Sequence, residues 1–279
     1  IPADMEGDAA LEHAEKLYAC VMDTLAANAD KAVITMTQEQ AYANKSNGLF
    51  SVFLGLENGS PIGKSLDRLR EFYAKGVRYM TLCHTKDNEI CDSCASAVKT
   101  WHGLSPFGKE VVAEMNRLGM LIDVSHISDE AFYDVLKYST LPVVATHSCC
   151  RALCGHPRNM TDDMIRALAD KGGVIQINFY PLFLDDTFPE AEMLTAPRPS
   201  YTMIADHIDH VVELVGIEHV GIGTDFDGID VTPEGLENVS MMPLLFEELR
   251  RRGYTEEDLE KIASGNFFNV FSFSDAVRS

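Results

Sequence analysis

Apolar segments of strand length alternate with amphipathic helical segments along most of the chain, and this alternation restricts the fold more than any other feature. Strand candidates begin near residues 50, 77, 120, 142, 173 and 219, and a helical pattern follows each of them. These segments include runs that are apolar on both faces, as in parallel sheets covered by helices. The sequence therefore predicts an α/β fold of repeated strand–helix units, with a single domain over residues 1–279.

The number of strand–helix units bears on whether the sheet closes. Six units are visible, whereas a closed (β/α)8 barrel of the TIM type has eight. Either the sheet is open, or two units precede Ile1. Residues 49–57, "LFSVFLGLE", are expected to form one strand, and "TEEDLEKIAS" and "GNFFNVF" near the C-terminus are expected to form short helices.

Composition excludes some classes of function. The formal net charge of −20 argues against nucleic acid or an anionic membrane surface as a partner, since both require a basic face. No apolar run reaches the ~20 residues of a membrane span. The seven cysteines are an odd number in a chain too long to depend on disulfides, and we interpret Cys91 and Cys94 as ordinary loop cysteines.

Every predicted strand ends on a side chain that can bind a metal, transfer a proton or contact a substrate. In chain order these are Glu57, His84, His126, His147, Tyr180 and Asp225. The carboxyl ends of parallel barrel strands meet at one face, which carries the active site. A lone histidine would be assigned a structural role, but packing does not require a polar group at every strand end. The set therefore predicts an active site.

The residue types indicate metal-dependent hydrolysis. Imidazoles and a carboxylate suit zinc and similar divalent ions, with His126 and His147 as ligands and Glu57 as a terminal or bridging ligand. Asp225 can accept a proton from a metal-bound water, whose pKa falls from 15.7 to about 7. The sequence has no G-x-S-x-G elbow and no dinucleotide or phosphate fingerprint, so serine hydrolase, kinase-like and NAD-dependent chemistry are disfavoured.

A cationic segment, "THSCCRALCGHPRNMTDD", follows the predicted strand at 142–148. Its Arg158 could hold a substrate carboxylate through two parallel hydrogen bonds. The alternative is that Arg158 pairs only with Asp162 or Asp163. Spacing alone does not decide between these two interpretations.

With these residues assembled, the sequence closely resembles the membrane dipeptidase (renal dipeptidase) family of zinc peptidases, in a bacterial-type version. The matching motifs run from about residue 50 to 269 and are "GLENG", "GVRYMTLCHTKDNEICDS", "GLSPFGKEVVAEMNRLGMLIDVSHISD", "ATHSCCRALCGHPRNMTDD", "GGVIQINFY" and "VGIGTDFDG". The resemblance implies a (β/α)8 barrel of the metal-dependent hydrolase kind, two zinc ions and hydrolysis of dipeptides through a metal-bound hydroxide.

The resemblance also implies roles for individual residues. Glu57 corresponds to the carboxylate that bridges the zincs, and His126 and His147 to the remaining ligands of the second zinc. His84 corresponds to the histidine that steadies the oxyanion, and Arg158 to the arginine that holds the substrate carboxylate. Asp225 corresponds to the acid that handles the proton of the bridging water, and Tyr180 to a residue near the substrate.

One departure from the family pattern concerns the first zinc, which takes a His-x-Asp pair at the end of the first strand. The letters "HID" at 207–209 fit, but they lie within a predicted helix. We expect that about 50–70 residues, two strand–helix units, precede Ile1. The alternative is a natural variant that lacks the first metal.

Two further functions remain open at this point. The same barrel could act on a lactone, a β-lactam or another cyclic amide, or the protein could be a non-catalytic binding protein that has lost one metal site. The family resemblance implies a homodimer, and export to the periplasm or a membrane anchor is favoured over the cytoplasm. The sequence does not indicate which dipeptides are preferred.

Overall fold

The computed structural model describes residues 1–278 and confirms an α/β fold with parallel strands. The chain forms two compact units. One comprises residues 1–143 with the C-terminal residues from Phe271, and the other comprises residues 144–270.

The first unit contains three parallel strands of the main sheet in chain order, β3, β4 and β5, and a separate pair of parallel strands, β1 and β2. Its elements are α1 (Gly7–Ala27), β1 (Ala32–Ile34), α2 (Gln38–Ser46), β2 (Phe50–Val52), β3 (Leu54–Glu57), α3 (Leu66–Ala74), β4 (Val77–Thr81), α4 (Pro106–Leu118), β5 (Leu121–Asp123) and α5 (Asp129–Tyr138).

The second unit also contains three parallel strands in chain order, β6, β7 and β8. Its elements are β6 (Val144–Ser148), α6 (Asp162–Asp170), β7 (Val174–Asn178), α7 (Pro181–Leu184), α8 (Thr202–Val215), β8 (Val220–Gly223), α9 (Met242–Arg251) and α10 (Glu256–Glu260). A π-helical turn over residues 261–265 leads into α11 (Asn266–Arg278). The two short helices expected near the C-terminus therefore run on as one helical stretch.

The segment 49–57 is two strands rather than one. β2 pairs with β1, and β3 pairs with β4, so the chain changes partner at Phe53. The Phe53 ring packs edge-on against Phe271, with centroids 5.2 Å apart. A continuous apolar run cannot reveal such a change, because both strands are built from similar apolar residues.

Helix α2 has no counterpart in the sequence interpretation. Ala41 is its one buried residue, so the apolar periodicity that marks a helix is missing. The local signal is Thr37, whose side chain accepts a hydrogen bond from the Gln40 N–H and caps the helix.

Helix α4 shows the predicted boundary signals. The Ser105 hydroxyl accepts a hydrogen bond from the Gly108 N–H at 2.8 Å, Pro106 stands in the first turn, and Gly119 ends the helix at φ 67°. Within residues 1–278, no helix combines the length and the apolar character needed to cross a membrane.

A buried carboxylate anchors the long loop between β4 and α4. Asp92 is fully buried, and its two oxygens accept hydrogen bonds from the N–H groups of Thr100, Trp101 and Gly103 at 2.8, 2.8 and 2.9 Å. The Asp92 carbonyl also accepts a hydrogen bond from the Ser128 N–H at 2.8 Å. This loop is thereby attached to the start of α5.

We predict that Asp92→Ala lowers the free energy of unfolding by about 3 kcal/mol, because three backbone N–H groups lose their acceptor, among them the buried N–H of Gly103. Urea unfolding measures this loss. The control is Glu110→Ala on the exposed face of α4, with an expected change within about 0.5 kcal/mol. A loss below about 1 kcal/mol for Asp92→Ala would show that the loop does not depend on this carboxylate.

Candidate metal centre and substrate site

Three side chains predicted from the sequence lie together where β3, β4 and β5 end. Glu57 is the last residue of β3, His84 follows β4, and His126 follows β5. The Glu57 Oε1 atom lies 3.1 Å from His126 Nε2 and 3.8 Å from His84 Nε2. The two imidazole rings pack with centroids 4.3 Å apart.

This donor set fits a divalent metal. Two ligand atoms at about 2.1 Å from a tetrahedral zinc lie about 3.4 Å apart, close to the separation between Glu57 and His126. His147, the third ligand predicted from the sequence, belongs to the second unit. His147 is buried in β6, and its Nδ1 lies 2.7 Å from the Thr146 hydroxyl, a contact that orients the ring.

Left-handed backbone conformations cluster at these strand ends. Among residues 1–278, four residues other than glycine have positive φ, and three of them are Asn58 at 75°, His126 at 71° and Asp225 at 57°. Such conformations are unfavourable for residues with a Cβ and persist where the surrounding structure imposes them, commonly at functional sites. His126 and Asp225 are thus residues that the sequence singled out, and Asn58 directly follows a third, Glu57.

The loop anchored by Asp92 also supports both histidines near Glu57. The Ser93 hydroxyl donates to the His84 carbonyl at 2.6 Å and lies 3.3 Å from the His126 carbonyl. The Cys94 N–H donates to the same His126 carbonyl at 2.8 Å. Ser93 therefore connects the backbones of two site residues on different strands.

Arg158 lies in the loop between β6 and α6, and only 6% of its surface is exposed. Its guanidinium donates to the His147 carbonyl at 2.9 Å and more weakly to the Ser148 hydroxyl at 3.4 Å, while Nε has no hydrogen-bond partner. Asp162 and Asp163, which could have neutralised it, pair instead with His210 and Arg166. Among the described residues, Arg158 is thus a buried cation without a carboxylate partner.

Tyr180 and Asp225 follow β7 and β8. Burial, with Asp230 and Glu190 nearby, raises the pKa of the Tyr180 phenol, so the hydroxyl stays protonated. It donates to the Met193 sulfur at 3.5 Å. Asp225 lies two residues beyond β8, where its carboxylate accepts a hydrogen bond from Asn178 at 3.0 Å.

Comparison with known proteins identifies the family. The sequence profile of the membrane dipeptidase family, peptidase family M19, matches residues 1–279. The chain belongs to the membrane dipeptidase family. An uncharacterized dipeptidase of Schizosaccharomyces pombe is 39% identical over 226 residues, which are 81% of this chain and 53% of that protein. The chain therefore spans about half the length of this relative.

Solved structures of membrane dipeptidase relatives share the fold. The probable dipeptidase PvdM of Pseudomonas aeruginosa superposes with a TM-score of 0.89 at 26% identity, covering 96% of this chain and 81% of that one. A metallo peptidase of Rhodobacter sphaeroides, liganded with a phosphinate mimic of the dipeptide L-Ala-D-Ala, gives a TM-score of 0.80 at 27% identity, covering 87% and 69%. The fold is thus the TIM-type α/β fold of this family, and the family assigns a metal cofactor.

Sequence reasoning missed residues that support this membrane dipeptidase site without belonging to it. Asn178, Ser93 and Asp92 are examples. Asn178 could have been found, because it and Gln176 are amides two positions apart in an otherwise apolar strand, and so share a face. Ser93 and Asp92 had no such signal, since their partners are backbone groups brought together only by folding.

His207 of the "HID" letters is another supporting residue. It lies inside α8, as the sequence predicted. Its Nδ1 accepts a hydrogen bond from the Cys150 N–H at 3.1 Å, and its Nε2 lies 3.4 Å from the Leu184 carbonyl. Burial lowers the pKa of His207 to about 4, so the ring is neutral at pH 7. His207 thereby supports the start of the loop that carries Arg158.

The His207 pKa predicts a pH dependence of stability. The folded-state pKa of about 4 lies below the ordinary 6.5, so protonation of His207 favours the unfolded chain. The stability that the neutral His207 ring contributes is therefore fully present above pH 6.5 and is lost as the pH falls towards 4. The expected loss is about 3 kcal/mol over that window. Urea unfolding at pH 7 and pH 4 measures it.

The control for this pH dependence is His207→Gln, which keeps an acceptor and a donor but cannot be protonated. In this variant the difference in unfolding free energy between pH 7 and pH 4 should shrink by the same amount. An unchanged difference would show that His207 does not titrate as the structure implies.

Proposed function

We propose that the protein hydrolyses dipeptides and that Arg158 binds the C-terminal carboxylate of the substrate. The observation that carries this proposal is the buried guanidinium of Arg158, which no carboxylate of the described chain neutralises. Burying a cation without a counter-charge is costly, and a ligand carboxylate compensates that cost while accepting two parallel hydrogen bonds.

The substrate class is further supported by family membership. The Rhodobacter sphaeroides relative is liganded with a phosphinate mimic of the dipeptide L-Ala-D-Ala. A dipeptide carries a free C-terminal carboxylate. A substrate of the same class would present its carboxylate to Arg158. We extend the class to this protein, without extending the preference for particular residues.

We further propose that the metal is zinc and that the whole protein uses two ions. Glu57, His126 and His147 would hold one of them, with Glu57 bridging to the second. A bound zinc activates water near neutral pH and polarises a carbonyl group. One carboxylate and two imidazoles are the donor set of several catalytic zinc sites.

The chain's own residues would complete the reaction. Asp225 would accept the proton of the attacking water, and His84 would donate a hydrogen bond to the oxygen of the scissile carbonyl as negative charge develops there. Tyr180, with its phenol protonated, would donate a hydrogen bond to the substrate.

For assembly and location, we propose a homodimer and an exported protein, as the family resemblance implies.

Replacement of Arg158 tests the carboxylate site. In the full-length protein, Arg158→Ala should lower kcat/KM for a dipeptide by about 10²–10³-fold, mainly through KM, because a buried charge pair is lost. The same substitution should leave turnover of the corresponding dipeptide amide nearly unchanged, since the amide lacks the carboxylate. Steady-state kinetics with both substrates measures this difference.

The matched control is Arg166→Ala in α6, which removes a half-exposed arginine paired with Asp163. It should leave both substrates within about twofold of the wild type. If Arg158→Ala reduced both substrates equally, Arg158 would not act as a carboxylate site. If the wild type preferred a lactone or a cyclic amide to dipeptides, the proposed substrate class would be wrong.

Metal content tests the ligand assignment. In the full-length protein, elemental analysis should find two zinc ions per chain, and His126→Ala should lower this number because it removes a ligand. The control is His13→Ala in α1, which should retain the wild-type content. Full zinc content in His126→Ala would contradict the assignment, and absence of metal from the wild type would favour a binding protein.

A further inference from the structure

Asn178, the last residue of β7, is fully buried and bonded at both ends of its amide. Its Oδ1 accepts a hydrogen bond from the Tyr180 N–H at 2.6 Å, and its Nδ2 donates to Asp225 Oδ2 at 3.0 Å. Because a backbone N–H can only be met by the amide oxygen, the NH2 group must face Asp225. The orientation of the amide is therefore determined by the backbone.

Asp225 is held from its other side by the turn that follows it. The residue has a left-handed backbone at φ 57°, and its carbonyl accepts a hydrogen bond from the Gly228 N–H at 2.9 Å. A Cβ at position 228 would lie 2.1 Å from Asp225 Oδ1. The carboxylate is thus in close contact with the glycine, and the turn leaves no room for a side chain there.

Asn178 ends β7 and Asp225 follows β8, and these two strands pair in parallel. Asn178 lies in register with Gly223 of β8, so the carboxyl ends of β7 and β8 are adjacent. Beyond them, the rings of Phe179 and Phe226 pack edge to face with centroids 5.7 Å apart. The hydrogen bond from Asn178 to Asp225 therefore joins two rigid elements, and a site built on such elements keeps its geometry.

We propose that Asn178 is a positioning residue, whose amide fixes the rotation of the Asp225 carboxylate for proton transfer. The inference rests on the proposed function, in which Asp225 accepts the proton of the attacking water. A neutral amide can orient a carboxylate without competing for its proton. A misplacement of about 1 Å in a reacting group can cost on the order of 10²-fold in rate, which sets the expected scale.

The first test compares two substitutions on β7 of the full-length protein. Asn178→Leu removes the donor and should lower kcat for a dipeptide by about 10²-fold, with KM within about threefold of the wild type. The matched control is Gln176→Leu on the same face. Gln176 also donates to β8, at the Ile222 carbonyl at 3.0 Å, but does not contact Asp225. It should keep kcat within about threefold.

A second variant covers the case in which leucine disturbs folding. Asn178→Asp has nearly the same size and keeps an acceptor for the Tyr180 N–H, but it replaces the donor to Asp225 with a second carboxylate. It should lower kcat at pH 7 at least as much as Asn178→Leu. Wild-type kcat in Asn178→Asp would overturn the proposal.

A double-mutant cycle separates positioning from a structural role. If Asn178 acts through Asp225, then adding Asn178→Leu to Asp225→Ala should lower the residual kcat by less than about threefold. A purely structural role would lower kcat by the same factor in both backgrounds, and that result would overturn the inference.

The single variants distinguish failure of the proposed function from failure of the positioning role of Asn178. If the wild type failed to hydrolyse dipeptides, or if Asp225→Ala kept wild-type kcat, the proposed function or the role of Asp225 would be wrong and this inference would fall with it. If Asp225→Ala lowered kcat but Asn178→Leu did not, only the positioning role would be wrong.

Discussion

The packing of parallel strands between helices buries the strands and favours polar side chains at the strand ends. A strand such as β5 is buried over its whole length, pairs with β4, and carries the apolar side chains of Leu121 and Ile122. The side chains to which we assign chemistry lie at or beyond the residues where the chain leaves the sheet. Glu57, His84 and His126 occupy such positions in one unit, and Tyr180 and Asp225 occupy them in the other.

Strand ends place functional side chains only approximately, and the loops supply the rest. Asp92 accepts from three backbone N–H groups, Ser93 connects the carbonyls of His84 and His126, and His207 meets the Cys150 N–H. Each of these side chains forms hydrogen bonds with backbone groups. The hydrogen bonds from Ser93 and Cys94 to the His126 carbonyl help to maintain the left-handed backbone of His126, because they offset its local strain.

The α/β fold class and the residues at the strand ends could be predicted because both follow from short-range patterns. Apolar runs indicated β4, β5, β6, β7 and β8, and polar residues at strand ends indicated the candidate site. Helix α2 could not be found, because it buries little apolar surface, and the division of residues 49–57 depends on a change of partner. The isolation of Arg158 was also beyond the sequence, since spacing favoured Asp162 and Asp163 no less than a ligand.

The proposed function depends most on what faces the Arg158 guanidinium when a substrate is bound. A crystal structure of the full-length protein with zinc and a phosphinate dipeptide mimic addresses this directly. We expect the carboxylate of the mimic within hydrogen-bond distance of the Arg158 guanidinium, with a zinc ion on Glu57 and His126. A mimic bound with its carboxylate turned to solvent, and Arg158 left with only its present partners, would contradict the account.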